Sequence, residues 1–588
     1  MILQALVEYY NRKRNEAETS APPYGWERKE ISFVIVLDGG GRFLRIDDMR
    51  ELKGKEKRGK QLLVPQAVVR TGNIKANLLW DSVEYIFGIG KNGNEKKAAF
   101  LKRMKDDLGG IPAVEKVINY VEKATVNDFL SLPDGEEILK EKRSNNVSFR
   151  TDGDLMLICN RDEVGEAIDS FSTVGEESRG ICMVTGENSV IPDLHHPIKG
   201  VKGKGAQSSG GRIVSFNMDA FESYGRKGGL NAPVGIRAEF AYTTALNMLL
   251  KDTLHHMTLG DVTLIFWSAK KTSFETDFSS FFEEPPKDNP AMGVQKITAL
   301  LRSPETGTYA DYNGDTQFYL LGLSPNSARI AVRLWRTGTV SEFANNIRQY
   351  FEDFDITRPE REPEYYSIWR ILVNSSVQNK SENIMPGLAG NLMESAITGN
   401  LYPVSLLQAV LRRIKSDVEH GVEHGVTPVR AAAVKAYLNR YYRLYPDGRF
   451  KEVTKMMDVS QTSEGYQLGR LFAVLEKIQE EASPGLNSTI RERYYSAAST
   501  TPLAVFPTLL RLKNHHLAKL ENEGRKIRFE QMLGEIVDKL NDFPPHLTIY
   551  EQGMFAVGYY HQRQHLFTKR KDEPNSSAID NKGVEKNE

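Results

Sequence analysis

Cysteine is nearly absent from this sequence: Cys159 and Cys182 are the only two. So few cannot form a disulfide framework, and the usage suits a reducing compartment, so a cytoplasmic protein is expected. Net charge is absent as well, with 77 Lys and Arg against 77 Asp and Glu. A neutral chain has no global attraction to nucleic acid or to an anionic membrane, so any site for a polyanion must be a local patch. Long apolar runs are also missing. No stretch reaches the roughly 18 residues that mark a membrane span. The opening MILQALVEYYNRKRNE reads as a short amphipathic helix rather than a signal peptide, and no membrane partner is expected.

Several chemical signatures are lacking too. The glycine-rich stretch KGVKGKGAQSSGGRIVSFN, Lys199 to Asn217, fails as a P-loop because Ala206, not Lys-Ser or Lys-Thr, follows Gly203-Lys204-Gly205. GIGKNG, Gly88 to Gly93, matches G-x-G-x-x-G in letters, but WDSVEYIFGIG before it is no clean strand, so it reads as a turn ahead of a basic helix. His195 and His196 with Cys159 and Cys182 lack metal-ligand spacings, and no G-x-S-x-G elbow occurs. No cofactor is expected, no catalytic residue is assigned, and the chain reads as a binder rather than an enzyme.

What is present divides into two regions. The 588 residues are too many for one core and should form two to four domains. ISFVIVL, the turn DGGG and RFLRI read as a hairpin; RIVSFN, DVTLIFW, FYLLGLS and RIAVRLW read as further strands. KKAAFLKRMKDDL and AEFAYTTALNMLLKD are helical between them, so residues 1–390 are expected to be an α+β region. From about Asn391 helical periodicity takes over, broken at Pro446-Asp447-Gly448, Ser483-Pro484-Gly485 and Pro544-Pro545. Connecting helices over 391–455 and a bundle over 456–568 are expected. The tail 569–588 has almost no apolar residues and should be disordered.

Local charge carries the functional signal. Arg50 to Lys75 holds eight cations against two acids, Lys199 to Leu230 six against two, and Arg511 to Arg528 six against two, with His515 and His516 beside them. One such run is usually a solvated face. Three in a neutral protein, two on glycine-rich loops bearing Asn, Gln and Ser, fit nucleic acid: cations neutralise phosphates while amides read base edges.

PQAVVRTGNIKANLLWDSVEYIFGI, then HHPIKGVKGKGAQSSGGRIVSFNMDAFESYG with NAPV, and YQLGRLFAVLEKIQ with RYYSAASTTPLAVFPTLLRL and GYYHQR, resemble the large subunit of the type I-C CRISPR surveillance complex, Cascade. The match runs in order along nearly the whole chain; Gly72 and Ala76 depart from the serine and proline expected in the first loop. The resemblance implies a non-catalytic subunit that recognises the protospacer-adjacent motif in double-stranded DNA, promotes R-loop formation, holds the displaced strand and recruits the helicase-nuclease. It also implies contacts with the guide RNA 5′ end and with other Cascade subunits, and a small subunit started internally, here at Met456. On this reading the motif is read by Asn73, Lys75, Asn77, Lys204, Gln207, Ser208 and Ser209. Lys53, Lys55, Lys57, Arg58, Lys60, Arg70, Lys199, Lys202 and Arg212 touch DNA backbone. Arg511, Lys513, His515, Lys519, Arg525, Lys526 and Arg528 hold the displaced strand. A scaffold that reads no DNA and a metal-dependent nuclease are the alternatives.

Overall fold

A computed structural model describes residues 1–16, 21–53, 56–68, 70, 74–141, 143–171, 178–203, 205–216, 218–259, 262–283, 290–302, 315–422, 425–446 and 451–567. The chain forms two compact units, Met1–Thr253 with Leu321–Trp335, and Leu254–Leu320 with Arg336–Glu588. Both sheet and helix are present, with the sheets N-terminal and the last third helical, so the fold is α+β as expected.

In the first unit the strand Phe33–Leu37 is buried at every residue, as its unbroken run FVIVL requires when both faces are covered. It pairs antiparallel with Phe43–Asp48 through the expected DGGG turn and parallel with Asn146–Thr151, which also pairs with Trp80–Ser82. The parallel partner lies over a hundred residues away and carries no local signal. A separate antiparallel ribbon joins Trp26–Ile31 to Lys60–Pro65. Helix Ile2–Arg14 buries Leu6, Tyr9 and Tyr10, and Tyr10 meets Phe240 of helix Ile236–Lys251 edge-on at 5.8 Å.

Arg212 to Phe216, the described part of RIVSFN, do not form the expected strand. Only Gly211 and Arg212 pair, each through an isolated bridge, to Ile198 and Arg329, so no ladder can propagate. The long strands Gln317–Asn326 and Arg329–Thr339 form the expected hairpin, turning at Ser327 with φ +56°.

The second unit is mainly helical. Helix Val340–Phe354 carries a capping box, Thr339 with Glu342. Asp353 on it is buried, accepts from Tyr402 Oη at 2.9 Å and Arg440 Nε at 2.9 Å, and so clamps helix Pro428–Leu444. The expected boundaries at 391 and 456 are therefore not breaks between compact units. Pro428–Leu444 packs on Val340–Phe354 and also on Ile549–Phe567, where Tyr441 stacks on Tyr550 at 4.5 Å. The bundle expected over 456–568 comprises Glu464–Ala482, Ile490–Ala498, Pro502–Ala518, Glu523–Val537 and Ile549–Phe567. The tail lies outside the described residues.

Candidate nucleic-acid interface

The glycine-rich loop is closed at its base. Ile198 and Gly211 exchange both backbone hydrogen bonds, at 2.8 and 3.0 Å, and Arg212 is tied to the hairpin tip by Ile330 N donating to Arg212 O at 2.8 Å. Gly210 has φ +87°, and a Cβ there would fall 2.6 Å from Ile198 O, so only glycine fits the closure. Asn247 pins the start of the loop, accepting from Lys199 N at 2.8 Å and donating to Pro197 O at 3.2 Å. Within the loop, Gly210 N donates to Gln207 O at 3.0 Å, leaving Gln207, Ser208 and Ser209 exposed. Loop and hairpin tip together line a small cleft that includes Gln207, Ser327 and Arg329. Lys202 is exposed, and Lys204 lies outside the described residues.

The histidine pair is internal scaffolding for that base. His195 is buried with Nδ1 2.5 Å from Tyr242 Oη, and burial lowers its pKa. His196 N donates to the buried Glu239 carboxylate at 2.6 Å; burial opposes the charged imidazole, but its side-chain contact with Glu239 raises the pKa overall. Arg212 Nε donates to His195 O at 2.7 Å, so Arg212, expected on DNA backbone, braces the loop base. Both cysteines are buried and unpaired, and burial pushes the Cys159 thiol up to about 12. Among the described residues, no group of three or more His, Cys, Asp or Glu is placed to hold a metal ion.

The ribbon Trp26–Ile31 with Lys60–Pro65, which carries Arg28, Lys29 and Lys60 and is called the basic ribbon below, lies beside the loop. Lys251 Nζ donates to Gln61 Oε1 at 3.1 Å from the same helix that carries Asn247, and loss of water together with the charge of Lys29 lowers the Lys199 pKa. Lys57, Arg58 and Lys60 are exposed; Lys57 Nζ sits 3.9 Å from Asp134. The Lys53 side chain and Lys55 lie outside the described residues.

Two residues of the first loop need correction. Asn77 is 4% exposed: its Oδ1 accepts from Val68 N at 3.0 Å and its own N donates to Asp81 Oδ2 at 2.8 Å. It shapes the loop and presents no amide to a base. Arg70 donates to Lys75 O at 2.8 Å and to Asp81 Oδ2 at 2.6 Å, and lies 4.2 Å over the Tyr85 ring. It staples a buried acid, and its side chain stays 35% exposed. Burial raises the Asp81 pKa, against the pull of Arg70. Lys75 is exposed, and Asn73 lies outside the described residues. Sequence reading missed Asp81, although an acid directly after the apolar LLW of LLWDSVEYIF signals a buried partner.

The third basic segment spans helices Pro502–Ala518 and Glu523–Val537. Arg511, His515, Lys519 and Arg528 are exposed, the first three on one face as their four-residue spacing predicts. The other cations are neutralised locally: Lys513 by Glu530 at 3.0 Å, Arg525 by Glu481 at 2.5 Å and Lys526 by Glu523 at 2.5 Å. Burial first, then Lys519 and His515, lowers the His516 pKa.

The model of the family described as CRISPR-associated protein (Cas_Csd1) matches residues 6–567, nearly the whole chain, and the chain belongs to that family. It is accordingly a Cascade subunit, consistent with the type I-C large subunit that its sequence resembles. No curated protein matches the chain. Among the described residues no helix is long and apolar enough to cross a membrane.

Proposed function

We propose that this chain is a non-catalytic Cascade large subunit that reads the protospacer-adjacent motif in duplex DNA through its glycine-rich loop. The observation that carries this reading is the loop's form: a thin backbone locked at its base, with Gln207, Ser208 and Ser209 outward and the basic ribbon alongside. Such a loop suits a minor groove about 6 Å wide, where amides and hydroxyls separate base pairs coarsely and the motif is read tolerantly. Pairing with the guide supplies the long sequence check, so the protein needs only a few base pairs.

The exposed cations Arg511, Lys519 and Arg528, with His515, then hold the displaced strand and favour R-loop formation. Contact with the guide RNA 5′ end and recruitment of the helicase-nuclease belong to the same reading and rest on the resemblance. So does a small subunit started at Met456. In a separate copy, the side of helix Ile549–Phe567 that meets Pro428–Leu444 would be uncovered and open to a neighbouring subunit.

The test is Gln207→Ala in the purified guide-loaded complex. Binding to motif-bearing duplex is expected to weaken by roughly 1–3 kcal/mol, with binding to the same target as a single strand unchanged. Equal losses on both substrates would make the chain a scaffold; metal-dependent strand cleavage without the helicase-nuclease would make it a nuclease.

A further inference from the structure

Tyr224 is the most exposed large apolar side chain in the described part of the protein, at 100%. It stands on the tight turn Ser223–Arg226, closed by Arg226 N donating to Ser223 O at 3.0 Å. Tyr224 and Gly225 have φ of +55° and +68°, the paired positive values of a type I′ turn. An aromatic side chain rarely adopts this conformation, and the strain must be held by the surroundings. Asn231 supplies the hold: its Oδ1 accepts from Ser223 N at 2.9 Å, and its Nδ2 donates to Arg226 O and to Gly228 O, each at 3.0 Å. The ring is thus presented on a rigid mount with both faces open.

Its setting points to nucleic acid. The flanking Arg226 and Lys227 are exposed and suit phosphate. Phe221, three residues earlier, lies under the Arg329 guanidinium at 4.5 Å, and Arg329 lines the same cleft as Gln207. Three residues of chain span at most about 11 Å. The Tyr224 backbone therefore lies within about 11 Å, roughly three base-pair steps, of Phe221, the residue beneath the cleft-lining Arg329. A rigid aromatic face beside cations is the arrangement on which unpaired bases stack, whatever their identity.

We propose that Tyr224 is a stacking platform for an unpaired nucleobase of the DNA strand displaced next to the glycine-rich loop. This rests on the DNA-reading function given above, and the test separates the two. Duplex targets carry 2-aminopurine at each of the first positions beside the motif, bound by the guide-loaded complex. In the wild type one position is quenched relative to its opened neighbours. Tyr224→Ala releases that quench and weakens target binding about 5- to 150-fold, while Tyr224→Phe retains both. Gln207→Ala is measured in parallel. If Tyr224→Ala changes no position while Gln207→Ala still removes motif preference, the platform is overturned and motif reading stands. If neither change has an effect, both fall. Loss of a protein subunit from the Tyr224→Ala complex would assign the ring to a protein interface and also overturn the proposal.

Discussion

Helices Glu464–Ala482 and Ile549–Phe567 approach so closely that a Cβ on Gly469 would lie 2.1 Å from Phe555 O and 2.8 Å from Tyr559 N. Gly558 makes the reciprocal approach, its Cβ position 2.2 Å from Tyr466 O. Ordinary contact begins near 3.4 Å, so Gly469→Ala must open the pair by about 1.3 Å. Four large buried side chains, Tyr466, Phe472, Phe555 and Tyr559, sit on these two helices. At about 2.5 kcal/mol each they contribute roughly 10 kcal/mol, and a gap of this size forfeits about a third to a half of it. Alanine's better helix propensity returns about 1 kcal/mol, leaving a net loss of roughly 2–4 kcal/mol. Gly534 is the control, in helix Glu523–Val537 with nothing within 4 Å of its Cβ position. There the same substitution should stabilise by about 0.5–1 kcal/mol. Thermal unfolding followed by circular dichroism checks both: a fall of roughly 3–6 °C for Gly469→Ala and a rise of about 1 °C for Gly534→Ala. A Gly469→Ala protein that melts at or above the wild type would refute the close approach and the reasoning built on it.

Burial, then the charge of Lys435, lowers His561 to about 4. Below the unfolded value of about 6.5 the unfolded state binds more protons, so this group's stability is fully present above pH ~6.5 and lost as pH falls towards 4, by up to about 3 kcal/mol. Urea midpoints against pH should show that slope, and His561→Gln should flatten it. Arg70→Ala leaves the Asp81 carboxylate buried without its cation; since Arg70 is itself 35% exposed, the loss should be about 1–3 kcal/mol, with Asp81→Asn in the same background recovering part of it in chemical denaturation. Reversing Arg511, Lys519 and Arg528 to Glu should reduce permanganate reactivity of the opened strand while initial motif binding persists; an unchanged footprint would mean a merely wet face. Recoding Lys451 and Glu452 synonymously, and separately replacing Met456 and Met457 with Leu, should remove a small band reactive to a C-terminal tag, and its survival in both would place the start elsewhere.

Local pattern in the sequence was enough for the elements whose stabilising contacts are local. The DGGG hairpin, the Gln317–Asn326 and Arg329–Thr339 pair and the C-terminal helices follow from periodicity and turn residues, which act over a few positions. The exposed glycine-rich loop and the four-residue row Arg511, His515, Lys519 were legible for the same reason. Tertiary structure alone decided which cations remain available. Arg70, Arg212, Lys513 and Arg525 look identical in sequence to their exposed neighbours, but each meets a carboxylate or carbonyl brought to it by the fold, in one case from tens of residues away. The same distance hid the bond that removes Asn77 from solvent and the parallel partner of Phe33–Leu37. It also hid the packing of Pro428–Leu444 on both of its neighbours, which moves the division into compact units away from residue 391. Composition reports that charge and amides are present, but pairing depends on separations in space, and these exist only once the chain has closed on itself.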